Sequence, residues 1–179
     1  MSSPYKELLL GAGSSREKRI FVQGRESWNA LTTLDFNSDH KPDVEWDLEK
    51  LPLPFPDNTF DEIHAYEVLE HTGQQGDWKF FFNQFTELWR ILKPEGLLFG
   101  TCPSWKSIWA WGDPSHKRVF TSGTLVFLSQ KEYDTQVGKT PMTDYRFCYK
   151  ADFERMYCSE DDNHLRFILR AHKEVDAQS

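Results

Sequence analysis

The sequence predicts an α/β fold with a mostly parallel sheet and an antiparallel hairpin at its C-terminal edge. Short apolar runs typical of strands alternate with long connections, and one connection has the pattern of an amphipathic helix. Connections of that length join parallel strands. Two strand-like runs near the C-terminus flank the polar turn SEDDN, which predicts antiparallel pairing. The length suits a single domain over residues 1–179.

The N-terminal part of the chain contains the first three predicted strands. Residues 7–10 form an apolar run closed by glycines, residues 30–36 are rich in Thr and Leu, and residues 43–46 form a shorter candidate. No long amphipathic helix is predicted between the first two strands, because Gly24 and Asn29 interrupt the pattern. A proline-rich loop follows the third strand.

The middle of the chain predicts a strand, a helix and another strand. Residues 60–66 alternate as a strand does, and residues 76–92 carry Trp, Phe and Leu at three- and four-residue spacing. That spacing makes one wide apolar face. The segment KPEG at 93–96 ends the helix, since proline and glycine are stop signals, and the apolar residues 97–103 predict the next strand.

The remaining elements are less regular. Residues 104–120 contain three tryptophans and predict an irregular segment, and residues 122–130 predict a helix with Ser122 as its cap. Residues 152–158 and 164–171 are the two strands of the C-terminal hairpin.

Composition argues against several classes of function. The formal net charge is −7 and the pI is about 5.4, which disfavours broad nucleic-acid binding without excluding a local basic groove. No apolar stretch reaches the roughly 18 residues of a membrane span, and no signal peptide is predicted. Three cysteines without a C-x-x-C pair indicate a reducing, cytoplasmic compartment rather than disulfides or a cysteine zinc site, and no metal site is predicted.

Ligand-binding residue types stand at the ends of the first two strands. Gly11, Ala12 and Gly13 follow the first strand, and glycine lets a ligand approach the backbone. The alternative for so short a motif is an ordinary tight turn. Asp35 ends the second strand, where a carboxylate can accept both hydroxyls of a ribose, or can be a solvated loop acid.

The third and fourth strands end on acids as well. Asp47 and Leu48 could hold the edge and face of an adenine ring. The segment EVLEHTG brings Glu67, Glu70 and His71 to one strand end, although an acid and a histidine there could also simply begin a helix. The order of Gly, Asp, Asp and Glu over four strand ends carries more weight than any one residue.

That order resembles the class I S-adenosylmethionine-dependent methyltransferases, and in particular the methyltransferase-11 type. The resemblance rests on LLLGAG, LDF, DLEKLPLPFPDNTFDEIHAYEVLEH and LWRILKPEGLLFGTCP, and it extends weakly to DPSHKRVFT. It implies a Rossmann-like, three-layer fold with S-adenosylmethionine as the cofactor. The implied cofactor-binding residues are Gly11, Ala12, Gly13, Asp35, Asp47, Leu48 and Glu67.

The glycine loop departs from the pattern of that family. Leu9 replaces the leading acid, and Ser14 and Ser15 follow where a further glycine is common. The resemblance therefore implies that one contact to the amino group of the cofactor is missing or comes from elsewhere.

Two histidines are candidates for catalysis. Methyl transfer needs a base only when the acceptor holds its proton tightly, and histidine is the natural base near neutral pH. His71 is either that base or a helix-start residue, and His116 lies where acceptors bind in this fold. Lys117 and Arg118 could neutralise an anionic acceptor or form a solvated turn, and the tryptophan-rich loop could stack on an acceptor, enter the core or form a homodimer contact.

Three functions are compatible with these observations. The first is methyl transfer to a small molecule, nucleotide or sugar. The second is a nucleic-acid or protein methyltransferase, although the Asn/Asp-Pro-Pro-Tyr/Phe motif of amino-methylating DNA enzymes is absent and EVLEH stands in its place. The third is a binding protein that keeps the fold without catalysis.

Overall fold

A computed structural model describes residues 4–173 and contains one seven-stranded sheet. The strands are β1 Lys6–Leu10, β2 Ala30–Asp35, β3 Val44–Glu45, β4 Phe60–Tyr66, β5 Leu92–Pro103, β6 Phe153–Glu160 and β7 His164–Ala171. Their spatial order is β3-β2-β1-β4-β5-β7-β6. The first five pair in parallel, and β7 lies antiparallel between β5 and β6. The predicted sheet and its C-terminal hairpin are confirmed.

Four helices accompany the sheet: α1 Trp78–Ile91, α2 Ile108–Gly112, α3 Ser122–Val126 and α4 Gln130–Gln136. The longest, α1, begins where the Asp77 side chain accepts a hydrogen bond from the backbone N–H of Phe80 over 3.0 Å. Its apolar face buries Phe81, Phe85 and Leu88 against the sheet. No helix in residues 4–173 is both long and apolar enough to cross a membrane.

Three element boundaries differ from the sequence prediction. The predicted helix over 122–130 is shorter, since α3 ends at Val126, and a second helix that was not predicted, α4, begins after Ser129, which has extended backbone angles. The strand predicted over 97–103 begins earlier, since Leu92 already pairs with Phe60 and the segment KPEG lies at an irregularity within β5. The segment 104–120 is not entirely irregular, because it contains α2.

The two faces of the sheet are covered differently. The main core lies on the side of α1 and includes residues from α3 and α4, such as Leu125 and Tyr133. On the opposite face, Ile20 and Trp28 pack against a small cluster around Leu9 and Phe99. Residues 11–29, which supply this cover, contain no helix. A loop therefore stands where a helix usually follows the first strand.

Buried charges hold that loop against the sheet. The ammonium group of Lys18 donates hydrogen bonds to Glu7 of β1 and, over 3.0 Å, to Glu62 of β4. Glu62 also contacts His64 Nε2 at 3.1 Å. All four side chains are almost fully buried, so the attraction is little screened by water. These ion pairs anchor the loop of residues 11–29 to β1 and β4.

Candidate active site

A cleft of about 620 Å³ opens at the carboxyl ends of β1, β2 and β3. Ligands of open α/β sheets bind at this edge, because parallel strands end there together. Four of the predicted cofactor residues line the cleft, namely Gly11, Asp35, Asp47 and Leu48. The fold therefore brings together residues that are up to 37 positions apart in sequence.

Asp35 is held in a fixed position at the end of β2. It is buried, and its Oδ2 atom accepts a hydrogen bond from the backbone N–H of Gly13 over 2.8 Å. Its Oδ1 atom accepts from the N–H of Asn37 over the same distance. Each carboxylate oxygen has a second lone pair, so the group can still accept hydroxyl donors from a ligand.

The glycines of the first loop serve different purposes. Gly11 has a φ of +56°, and a Cβ built on it would lie 2.3 Å from Cγ2 of Val68. Gly13 has a φ of +52°, and no atom lies within 4 Å of the corresponding Cβ position. Ala12 does not face the cleft, since it is buried in the small cluster and its N–H donates to Leu34 O over 3.2 Å.

Glu49 closes the other side of the cleft and was not identified from the sequence. Its Oε1 atom accepts hydrogen bonds from the N–H of Gly73 over 2.7 Å and from Lys117 Nζ over 2.8 Å. The residue thereby links the loop after β3 to the loops after β4 and β5. Its place directly after Asp47-Leu48 was the only sequence signal, and an exposed acid in a loop is too common to be informative.

The cleft fits an adenosine cofactor. The fixed carboxylate of Asp35 suits a ribose diol, and Leu34 and Leu48 give apolar walls for a flat ring. The backbone at Gly13 is accessible, because no atom occupies its side-chain position. These groups supply the acceptors and apolar surface that a nucleoside needs.

A second cavity of about 500 Å³ adjoins the cleft. Glu67, His71, His116 and Trp109 are among its lining residues, and His71 lines the cofactor cleft as well. Glu67 lines the second cavity and, like Ala12 and Gly13, does not line the cleft. It has a φ of +52°, and its buried Oε1 atom has no hydrogen-bond partner among the described residues.

The two predicted catalytic histidines meet at this second cavity. Their ring centroids are 4.6 Å apart and nearly perpendicular. His71 belongs to the short 3₁₀ turn Leu69–His71, and its Nδ1 atom lies 3.3 Å from the carbonyl oxygen of Ser115. Burial, followed by the nearby His116, lowers the pKa of His71, which keeps its imidazole neutral and able to accept a proton.

Glu70 is a site residue whose importance the sequence did not indicate. It lies in the same 3₁₀ turn, only 1% exposed, and neither carboxyl oxygen has a hydrogen-bond partner within residues 4–173. The thiol of Cys102 is beside it but completes no hydrogen bond by its geometry. Burial, with a contribution from Glu67, raises the pKa of Glu70 to about 8.

The basic residues after His116 both have partners within the protein. Arg118 is buried and donates to the carbonyl oxygens of Gln74 at 3.0 Å and Asp77 at 3.2 Å. Lys117 pairs with Glu49 at 2.8 Å. Both cations therefore join loops to one another, and the hypothesis that they neutralise an anionic acceptor receives no support.

The tryptophan-rich segment does not enter the core. Trp105, Trp109 and Trp111 are between 48% and 69% exposed, and only Trp109 lines the second cavity. The indole N–H of Trp111 donates to the carbonyl oxygen of Trp105 over 2.9 Å. Of the predicted roles, contact with an acceptor and contact with a second chain both stay open.

Comparison with known proteins identifies the family. Residues 11–100 match the model of the methyltransferase domain family, which is 90 of the 179 residues. No curated protein matches the chain in sequence.

Solved structures of low sequence identity share the fold. A methyltransferase dependent on S-adenosylmethionine from Methanosarcina mazei has 16% identity and a TM-score of 0.56, over 97% of this chain and 95% of its own. One from Archaeoglobus fulgidus has 15% identity and a TM-score of 0.56, over 93% and 86%. The N-methyltransferase NodS from Bradyrhizobium japonicum, in complex with S-adenosyl-L-homocysteine, has 14% identity and a TM-score of 0.54, over 96% and 80%. The chain therefore belongs to the methyltransferase domain family, as a class I member whose cofactor is S-adenosylmethionine.

Proposed function

We propose that the chain transfers a methyl group from S-adenosylmethionine to a small-molecule, nucleotide or sugar acceptor that binds in the second cavity. The observation that carries this proposal is the position of His71, which lines both the cofactor cleft and the second cavity. A methyl group in the cleft and an acceptor in the cavity would therefore meet at this residue.

Another cavity, next to α1, is less suitable for an acceptor. It has about 490 Å³, is lined by Trp78, Phe82 and Arg118 among others, and shares no lining residue with the cofactor cleft. An acceptor there would be separated from the methyl group by intervening protein. Transfer requires the reacting atoms to be about 3–3.5 Å apart and in line. A cavity that shares a lining residue with the cofactor cleft is therefore the better candidate for the acceptor.

The chain's own residues would contribute position and proton transfer. The cofactor supplies a methyl group that is already activated by the positive sulfur, so the protein mainly orients the two reactants. His71 is neutral because its pKa is lowered, and it can accept the proton of an acceptor hydroxyl or ammonium group. Exposed Trp109 offers a flat surface at the mouth of the cavity.

Transfer of labelled methyl groups into separate pools of small molecules, RNA, DNA and protein tests this proposal. We expect label in the small-molecule pool. Label confined to RNA, DNA or protein would overturn the acceptor class. Binding of S-adenosylhomocysteine without any transfer would instead identify a binding protein that keeps the fold.

Substitution of His71 tests the role of the residue that lines both the cleft and the second cavity. His71→Asn should lower turnover at least tenfold, because a positioned base contributes about 10²–10⁴-fold. The affinity for S-adenosylhomocysteine should change much less. His40→Asn, a change on the loop after β2 outside both cavities, is the matched control and should retain turnover. Equal loss of affinity and turnover in His71→Asn would contradict the proposed role.

A further inference from the structure

We propose that Glu70, His71 and His116 bind one divalent first-row transition-metal ion, for which Zn²⁺ is the best fit, in the second cavity. The sequence alone predicted no metal site. Binding of the ion is independent of the proposed methyl transfer, whereas the ion's role toward the acceptor, described below, rests on that proposed function.

The three side chains converge from two loops. Each offers one ligand atom, and these atoms all lie within 4.8 Å of one another. His116 Nε2 is 4.0 Å from Glu70 Oε1. Zinc bonds to nitrogen and oxygen are about 2.0–2.2 Å long, so one ion can reach both atoms with small side-chain movements.

The carboxylate of Glu70 requires a partner that the described protein does not supply. The residue is 1% exposed, and neither oxygen has a hydrogen-bond partner among residues 4–173. The Nδ1 atom of His116 is also buried without a partner. Buried polar groups are nearly always satisfied, and buried carboxylates are usually paired or bound to a metal. A cation among these residues satisfies the carboxylate.

The orientation of His71 agrees with a ligating imidazole. Its Nδ1 atom lies 3.3 Å from the carbonyl oxygen of Ser115, which can accept the ring N–H. The hydroxyl oxygen of Ser115 is 3.1 Å from the same Nδ1 atom and donates its own proton to Asp113 Oδ1 over 2.6 Å, so it too can accept the ring N–H. A proton on Nδ1 leaves the Nε2 lone pair for a metal. Ligating histidines usually donate their other ring N–H to a carbonyl or carboxylate in this way.

A second cluster, of two carboxylates and one histidine, shows the contrast. Glu7, Glu62 and His64 also lie within 4.8 Å of one another on β1 and β4. There, the ammonium group of Lys18 hydrogen-bonds to both carboxylates and supplies the positive charge. No lysine or arginine forms an ion pair with Glu70 within the described residues. Of these two clusters, the one at the second cavity has no protein cation beside its carboxylate and would be satisfied by a metal ion from solution.

The ligand types restrict the choice of ion. Two imidazoles and one carboxylate suit Zn²⁺ and other first-row ions, whereas Mg²⁺ and Ca²⁺ prefer oxygen ligands throughout. Three protein ligands are typical of zinc sites that keep an open position. Asp113, whose Oδ2 atom is 3.8 Å from His116 Nε2, adds a further negative charge beside the site.

An open position facing the cavity indicates an acceptor with a hydroxyl group. With the ion bound, His71 is a ligand and no longer the base. A hydroxyl bound to the ion instead loses its proton to solvent more easily, because the cation stabilises the resulting oxygen anion. In the transfer, the oxygen–methyl bond forms while the sulfur–methyl bond breaks, and S-adenosylhomocysteine leaves with the electron pair on sulfur. Among the acceptors of the proposed function, the metal site therefore favours compounds that carry a hydroxyl group.

Metal titration of the chelator-treated chain tests the proposal directly. We expect one equivalent of Zn²⁺ by calorimetry, and one equivalent of Co²⁺ with the visible absorption typical of histidine and carboxylate ligation. Mg²⁺ and Ca²⁺ should not compete at equal concentration. Binding of Zn²⁺ should also raise Tm, because a ligand that binds only the folded state stabilises it.

Variants locate the ion. Glu70→Gln and His116→Asn should each weaken Zn²⁺ binding at least tenfold, since even outer partners of zinc ligands are worth about 10–100-fold. His164→Asn is the matched control, because it lines the same cavity but is outside the cluster, and it should bind Zn²⁺ normally. Equal Zn²⁺ affinity in the parent chain and in both cluster variants would overturn the site, as would a failure of the parent chain to bind one equivalent.

The same variants separate this proposal from the proposed function. S-Adenosylhomocysteine affinity and circular dichroism should be unchanged in Glu70→Gln, which shows that a loss of Zn²⁺ binding is not a loss of fold. If Zn²⁺ binds but no acceptor is methylated, the metal site stands and the proposed function fails. If methyl transfer proceeds equally in parent chain and Glu70→Gln after chelation, the ion's role toward the acceptor fails.

Discussion

The backbone N–H of Gly13 donates a hydrogen bond to Asp35 Oδ2 over 2.8 Å, which joins the glycine turn after β1 to the carboxylate at the end of β2. Neither residue can be repositioned without the other. This bond links the two cofactor features that are 22 residues apart in the chain.

Removal of the Asp35 carboxylate should weaken cofactor binding. Asp35→Ala deletes the ribose acceptor and also the bonds that Gly13 and Asn37 donate to it. Hydrogen bonds to a charged group are worth about 1.5–3 kcal/mol each, so we expect at least a tenfold loss of S-adenosylhomocysteine affinity by calorimetry. Asp39→Ala, an exposed acid on the neighbouring turn, should bind normally. Unchanged affinity in Asp35→Ala would remove the ribose assignment.

A methyl group on Gly11 should destabilise the turn more than one on Gly13. Both glycines have positive φ, so Ala at either position incurs about 1–2 kcal/mol of backbone strain. Only at Gly11 would the new Cβ also meet Val68, at 2.3 Å. Urea unfolding of Gly11→Ala and Gly13→Ala measures the difference. Equal destabilisation would show that the Val68 contact relaxes freely.

Loss of the Lys18 ammonium group should destabilise the whole chain. Lys18→Met leaves Glu7 and Glu62 buried without this shared partner. Breaking a buried pair by removing one member costs about 3–5 kcal/mol, which urea unfolding would detect. Lys106→Met, which removes an exposed pair with Asp162 at 3.5 Å, should cost less than about 1 kcal/mol. Similar losses in the two variants would show that the buried network contributes little.

The same network should make the chain sensitive to acid. Burial alone would raise the pKa of Glu62, but hydrogen bonds from His64 and Lys18 hold it well below its usual range. The folded state therefore binds this proton less readily than the unfolded state. The resulting stability is present above the unfolded pKa of about 4.3 and is lost as the pH falls below it.

Urea unfolding at several pH values tests whether stability falls as the solution becomes more acidic. The free energy of unfolding of the parent chain should fall as the pH decreases from about 6 to about 3. Glu62→Gln should be less stable at neutral pH but lose less stability over the same range, since it has no proton to take up at this position. An identical slope in the two chains would contradict the role of Glu62.

Much of the fold was predictable because periodicity is local. The alternation over Phe60–Tyr66 and the apolar face of α1 depend on residues a few positions apart, so both elements were predicted within two residues. The end of α3 and the start of α4 were not, because the extended backbone angles of Ser129 between them are marked by no proline or glycine in the sequence. The start of β5 at Leu92 depends on its pairing with Phe60 of β4. Helix stop signals in the local sequence carry no information about that pairing.

The sequence by itself determined the sheet, the family resemblance and the residues at the strand ends, because each is a matter of spacing along the chain. Only the tertiary structure decided which of them share a cavity. It placed Asp35 and Leu48 in the cofactor cleft and Glu67 in the adjoining second cavity. It also left the carboxylate of Glu70 buried beside two histidines. The physical reason is that burial and unsatisfied hydrogen bonding depend on all surrounding elements, whereas periodicity depends only on near neighbours.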